Sequence, residues 1–328
     1  MISTKEQRNL RLNEIRNARA WLSSKNLNIK DFESKSLIFY IIPIIIIWLA
    51  IIVLTLLASQ YDIALITVSI LIIGYLQRAL GNLYHDFSHG GFRCKKITDI
   101  VAIILIGCPL LLEINKYRAN HNAHHAFLGE EEKDPDFIHD LRLLKDGSIR
   151  AYLRYISNRK IWFNSLSGHL FIGTIRSKIL IIFWWFIALF IVQKTNGTNS
   201  AILFFFLWFS ARGTSFHLLT TFREMADHVG MKPGGLISFT RNSPYNSSLC
   251  FIFHPFQNGL HIAHHLFPLT PYYKIAKLHQ ILLGYQAYAE AENCQTYFIK
   301  CAVTIKCISV FSSFSKHVMS QSEIKTVS

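Results

Sequence analysis

The stretch Leu37–Ala58, LIFYIIPIIIIWLAIIVLTLLA, runs for 22 residues without a charge and is interrupted only by Pro43. About 20 apolar residues in a helix cross the hydrocarbon core of a bilayer, so this run predicts a membrane span. It follows a long charged segment and lacks a small-residue cleavage pattern, which argues against a removable signal peptide. A polar break, Ser59-Gln60-Tyr61-Asp62, leads into a second apolar run from Ile63 toward Leu83. Further on, Ile179–Val192 and Ala201–Phe216 flank a short polar link, and the second of these runs is broken by Arg212. Extended by neighbouring residues, the runs predict four spans near 37–58, 63–83, 177–194 and 201–220, in two helical pairs. Ile100–Leu112 is apolar over only 13 residues, with Pro109 near its end, and suits a re-entrant or interfacial helix better than a span.

Composition agrees. Of 328 residues, 51% are hydrophobic and 16% charged, against roughly 25% charged in soluble domains. Mean hydropathy is +0.27, and Phe alone occurs 25 times. Disorder, collagen-like repetition and a soluble nucleic-acid binder all fit these figures poorly. The six cysteines, Cys94, Cys108, Cys250, Cys294, Cys301 and Cys307, show no CxxC spacing, which argues against a disulfide scaffold and a structural zinc site. An all-α integral membrane protein is expected.

Basic residues set the expected orientation. Residues 1–35 hold eight Lys/Arg and four acids, and residues 141–178 hold eight Lys/Arg and one acid. The links at 59–62 and 193–200 carry between them only Lys194. The positive-inside rule therefore places both termini and the long intervening segments in the cytoplasm. Residues 1–36 read as a cytoplasmic N-terminal segment, 37–285 as the membrane domain, and 286–328 as an interfacial segment, Tyr297–Phe311 lying on the surface, followed by a polar tail. The 141–178 segment reads as helices lying on the inner surface. The positive charge of that segment then needs no nucleic acid, because anionic lipid or an acidic redox partner explains it.

Three histidine clusters carry the chemistry: His85-Asp-Phe-Ser-His89, His121-Asn-Ala-His124-His125 and His261-Ile-Ala-His264-His265. In a helix, residues three and four apart share a face, so each cluster presents its imidazoles together. Neutral imidazole is the commonest protein metal ligand. Eight such ligands suit two transition metals and exceed what one needs. Imidazole serves Zn, Cu, Fe and Ni alike, so ligand type alone does not select the metal. A pair of irons activating oxygen beside a bilayer makes chemical sense. A ligating imidazole commonly donates its outer N–H to a carboxylate, and Asp86, Asp134, Asp136, Glu224 and Asp227 are close enough in sequence to accept it. Asn258, three residues before His261, is a candidate to support a bound water or a metal.

The order and spacing of these boxes resemble those of the membrane fatty acid desaturase superfamily, which includes related hydroxylases and carotenoid-modifying enzymes. The resemblance runs from about residue 38 to 285. It extends to Asp134-Pro135-Asp136 after the second box, Pro268 after the third, and Arg223-Glu224-Met225-Ala226-Asp227-His228. It implies four spans with a cytoplasmic helical cap, and two irons held by His85, His89, His121, His124, His125, His261, His264 and His265. His228 best fits the ninth ligand, oriented by Asp227 or Glu224; His217 and His254 fit less well, and His279 is expected not to be a ligand. The reaction implied is O2-dependent removal of two vicinal hydrogens from a lipid alkyl chain, with hydroxylation or carotenoid-type oxygenation as the alternative on the same scaffold.

The electrons must come from outside. Lys232-Pro-Gly-Gly235 matches only the last three residues of the haem-binding His-Pro-Gly-Gly, and no four-cysteine iron–sulfur pattern or GxGxxG occurs. A separate donor such as ferredoxin or cytochrome b5 is expected. A metal transporter would place its ligands along the middles of the spans, whereas the eight box histidines lie outside the long apolar runs. No HExxH arrangement supports a zinc protease.

Overall fold

The computed structural model describes residues 4–137, 148–231 and 234–298. Among them there is no strand; Asn242 makes isolated bridges to Leu260 and Asn293. Helices are what long apolar runs require, since in hydrocarbon the backbone must satisfy its own hydrogen bonds. In chain order the helices begin with α1 (Thr4–Ser24), α2 (Lys30–Glu33), α3 (Ile38–Ala58), α4 (Ile63–Ser88), α5 (Lys95–Ala102) and α6 (Ile114–Phe127). The middle of the chain forms α7 (Ser148–Ile156), α8 (Arg159–Ser167), α9 (Ile175–Asn196), α10 (Thr198–Ala211) and α11 (His217–His228). Shorter elements follow: α12 (Leu236–Phe239), α13 (Ser248–Phe253), α14 (His261–Leu266), α15 (Tyr272–Leu282) and α16 (Gln286–Ala289).

Among the described residues, four helices are long and apolar enough to cross a membrane: Ile38–Ala58, Ile63–Ser88, Ile175–Asn196 and Thr198–His228. Ile46 and Phe186 on these helices are 60% and 65% exposed, as lipid-facing residues should be. The second and fourth helices run on past the limits that hydropathy predicts, because the helix continues after the apolar residues end. Those continuations carry His85 and His228. Pro43 removes one amide donor near the start of α3 without ending it. The expected surface segment at Tyr297–Phe311 and the tail lie almost wholly outside the described residues.

The chain forms two compact units. The first, residues 36–118 and 156–220, is the membrane unit. Its two helical pairs meet where Gln77 Nε2 donates to the Trp208 carbonyl at 2.9 Å and Ser215 Oγ to the Ile70 carbonyl at 3.0 Å. Gly74 permits this approach, since a Cβ there would sit 1.9 Å from Ser215 Oγ and 2.6 Å from the Phe216 nitrogen. Small residues let membrane helices come this close. Arg212 does not end its helix. It opens a π-helical turn, Arg212–Phe216, in which it is 1% exposed and its Nε donates to the Leu166 carbonyl at 2.8 Å. The turn leaves the Gly213 carbonyl to accept from Trp162 Nε1 on α8 at 2.8 Å. The 100–112 region forms α5 and a second π turn, Ile103–Gly107, and Trp48 Nε1 pins it through the Leu105 carbonyl at 2.9 Å.

The second unit comprises residues 1–35, 119–155 and 221–328. The N-terminal helix is part of it. Ala18 and Leu22 of α1 join Leu236, Ile262, Ala263 and Leu278 in one core cluster. Buried Arg11 donates to the carbonyls of Ala126 (2.9 Å) and Leu128 (3.1 Å) at the end of α6 and pairs with Glu130 at 2.6 Å. Glu14 Oε2 accepts from the Leu236 nitrogen at 2.5 Å, at the start of α12. Residues 1–35 thus belong with the second and third histidine boxes.

Candidate metal centre

Three elements of the second unit converge their imidazoles. His121, His124 and His125 lie on the last two turns of α6, His228 ends α11, and His261, His264 and His265 occupy α14. One ring nitrogen from each of His124, His228, His261 and His265 lies within 4.8 Å of all the others. His261 Nε2 is 3.1 Å from His228 Nε2 and 3.0 Å from His265 Nε2. Metal–nitrogen bonds of about 2.1 Å at roughly a right angle put neighbouring ligand atoms about 3 Å apart, so the spacing fits a shared metal. A second group stands beside the first: His125 Nε2 is 3.1 Å from both His121 Nε2 and His264 Nε2. Two histidine-rich groups can therefore hold a pair of metal ions. In the membrane unit, His85 and His89 on the last turn and C-cap of α4 stack edge-to-face, with ring centroids 5.1 Å apart.

The outer ring nitrogens fix the tautomers. His124 Nδ1 lies 2.8 Å from Asp134 Oδ1, and Asp134 is itself held by the Gly129 amide at 2.9 Å and the Asp136 amide at 3.0 Å. Asp136 Oδ2 stands 3.7 Å from the same Nδ1 with its side chain half exposed. His228 Nδ1 donates to the Phe239 carbonyl at 2.9 Å, rather than to Asp227 or Glu224 as the sequence suggests. Asp227 instead pairs with Arg223 Nε at 2.6 Å, its Oδ2 lying 3.4 Å from His261 Nε2. Glu224 is felt at Tyr155, whose hydroxyl pKa is raised by burial and then by the charges of Glu224 and Asp136. Asp86 accepts from the Tyr40 hydroxyl at 2.8 Å and lies 3.8 Å from His85 Nδ1. Asn258 follows the 3-10 turn Pro255–Gln257, partly buried.

Burial, followed by the neighbouring charges, holds His261 and His265 well below the ordinary imidazole pKa, in the neutral form that ligates metal. For His124, burial opposes protonation, but Asp136 and Asp134 outweigh it and raise the pKa. A metal cation would be favoured there by the same two carboxylates.

His217, His254 and His279 have protein partners. His217 places Nδ1 2.8 Å from Ser165 Oγ and Nε2 2.9 Å from the Ile156 carbonyl. His254 Nδ1 lies 2.9 Å from the Tyr297 hydroxyl, and His279 Nδ1 2.7 Å from the Tyr288 hydroxyl. The Phe239 carbonyl escapes sequence reasoning entirely, because a backbone acceptor leaves no side-chain signal.

Four helices able to span a membrane, joined to buried imidazole groups at metal spacing, define a histidine-box membrane metalloprotein. Residues 62–295 match the family model described as fatty acid desaturase, and the chain belongs to that family. It is also 27% identical over 251 residues to the dihydrorhizobitoxine desaturase of Bradyrhizobium elkanii, covering 68% of this chain and 69% of the relative. No solved structure matches. The chain is a di-iron, histidine-box desaturase-type oxidoreductase that acts on lipid chains and uses O2 as co-substrate.

Proposed function

We propose that His85, His89, His121, His124, His125, His228, His261, His264 and His265 are the protein ligands of the two irons, and that the reaction introduces a double bond into a lipid alkyl chain. The observation that carries this reading is the convergence of ring nitrogens from His124, His228, His261 and His265 within 4.8 Å. The pair His85/His89 enters the set through the order and spacing of the three boxes. When bound, the irons supply O2 activation for hydrogen abstraction.

The chain's own residues supply the rest. Asp134 keeps the Nδ1 proton of His124 on the outer side of the ring, which would leave Nε2 free to hold a metal. The Phe239 carbonyl does the same for His228. Holding one C–C bond of the alkyl chain against the centre selects the position of attack. Reducing equivalents come from a separate carrier such as ferredoxin or cytochrome b5. The basic residues in 1–35 and 141–178 support a cytoplasmic location for both termini and the metal centre.

The test is expression with iron and a matching reductase, followed by mass spectrometry of the total lipids. Products two mass units lighter than their substrates support desaturation, whereas a gain of sixteen assigns hydroxylation. Because one relative is named for desaturating dihydrorhizobitoxine, the screen covers polar metabolites as well.

A further inference from the structure

The segment Phe239–Ser243 has no place in the histidine boxes, yet it touches both helices that contribute the His228–His261 pair of the first group. Its polar members are enclosed: Thr240 and Arg241 are 0% exposed, Asn242 1% and Ser243 3%. Arg241 Nη1 donates to the Ala226 carbonyl at 2.8 Å and Nη2 to the Val229 carbonyl, and the Arg241 amide reaches the Asp227 carbonyl at 3.3 Å. These carbonyls belong to the end of α11, where a helix leaves acceptors unsatisfied and favours a cation. Next in the chain, Asn242 Oδ1 accepts from the Ile262 amide at 2.9 Å, in the first turn of α14. That helix has no side-chain cap of its own from Leu260. Asn242 Nδ2 is anchored on the far side by the Tyr288 hydroxyl and Asn293 Oδ1, both at 2.8 Å.

His228 is the last residue of α11 and His261 the first of α14, and their Nε2 atoms lie 3.1 Å apart. Two consecutive side chains therefore hold the two helix ends whose terminal residues face each other across the metal position. We infer that Arg241 and Asn242 are positioning residues of the metal centre, setting the separation of His228 and His261 before metal binds. The inference rests on the proposed ligand set.

Arg241→Gln removes the cation and half of the fork; Asn242→Leu removes the acceptor for Ile262. Each variant is purified in detergent, its folded fraction collected, and loaded with iron and, separately, with cobalt(II). Chelator resistance and the cobalt visible spectrum are then read alongside the melting of the metal-free protein. Loss of a group that orients a metal ligand typically weakens metal affinity about 10- to 100-fold. Each variant should therefore fall from two retained metals toward one, with altered cobalt bands. Arg241→Lys, which keeps the charge but not the fork, should lose less and serves if Arg241→Gln does not fold. Glu113→Ala is the control. It removes the acceptor for the Thr174 amide and Ser177 hydroxyl at the start of α9, in the membrane unit, and should keep both metals. Two chelator-resistant metals with an unchanged spectrum in both variants overturn the inference alone, as does equal metal loss in Glu113→Ala. Wild-type protein that takes up no metal overturns the ligand set and this inference with it.

Discussion

Asp134 Oδ1 lies 2.8 Å from Nδ1 of His124, and the other oxygen of the same carboxylate accepts the Gly129 amide at 2.9 Å. Gly129 sits just past the end of α6 with φ +75°, so one acid fixes both the turn that ends the helix and a ring near its end. Asp134→Asn keeps the shape but removes the charge that favours the Nδ1 proton. Iron affinity or activity should drop about 10- to 100-fold. Asp136→Asn, at 3.7 Å and half exposed, should cost much less. Equal retention of iron in both variants against a chelator would contradict the assigned role of Asp134.

His228→Gln should abolish most product formation, because Gln cannot reproduce imidazole geometry at a metal. His169→Gln is the comparison. Its Nδ1 accepts from the Glu113 amide at 3.1 Å, and burial depresses its pKa to about 4, so it is a packed histidine of the membrane unit. Folded His169→Gln should keep its iron. Similar iron content and product yield in the two variants would remove His228 from the ligand set.

The buried His279 gives a pH dependence with a defined sign. Burial lowers its pKa from 6.5 to about 4, so between these values the unfolded chain binds more protons than the folded one. The contribution of His279 to stability is complete above about pH 6.5 and is lost as pH falls toward 4. Unfolding of metal-free protein across that window should show a shallower pH slope in His279→Gln than in wild type. Identical slopes would show that His279 does not titrate in this way.

Gly74→Ala tests how closely the two membrane helical pairs approach. The added methyl meets Ser215 Oγ at 1.9 Å and backbone at 2.6 Å, so a side-chain rotation alone does not relieve it. Overpacking of this kind costs about 1–3 kcal/mol. A clear fall in the melting temperature in detergent is expected, and an unchanged melt would contradict the packing.

The topology is testable by labelling. Single cysteines at Ser24 and Gln193 in sealed inside-out vesicles should react with an impermeant thiol reagent at position 24 and not at 193. Labelling of both, or the reverse pattern, would overturn the cytoplasmic placement of the N-terminus.

Much of this architecture is legible in the sequence because membrane spans and helical histidine spacing are both periodic, local signals. Leu37–Ala58 announces a span by itself, and His121-x-x-His124-His125 announces a shared helix face. Long-range partners are less visible. Arg212 reads as a break in an apolar run, whereas it occupies a π turn satisfied by the Leu166 carbonyl, 46 residues away. Arg11 reads as one of the eight basic residues of the N-terminal segment, although it is buried against the end of α6. Proximity in sequence points to Asp227 and Glu224 as the groups that orient His228. The carbonyl of Phe239 does so instead, reached only once the chain has turned back on itself.

The most direct test is metal analysis of active protein purified under gentle conditions, with wild type beside His124→Ala and His264→Ala. The two substitutions fall in different histidine groups. Wild type should approach two Fe per chain, and each substitution should reduce that value sharply. An active native preparation that holds stoichiometric zinc and no iron would contradict the di-iron assignment.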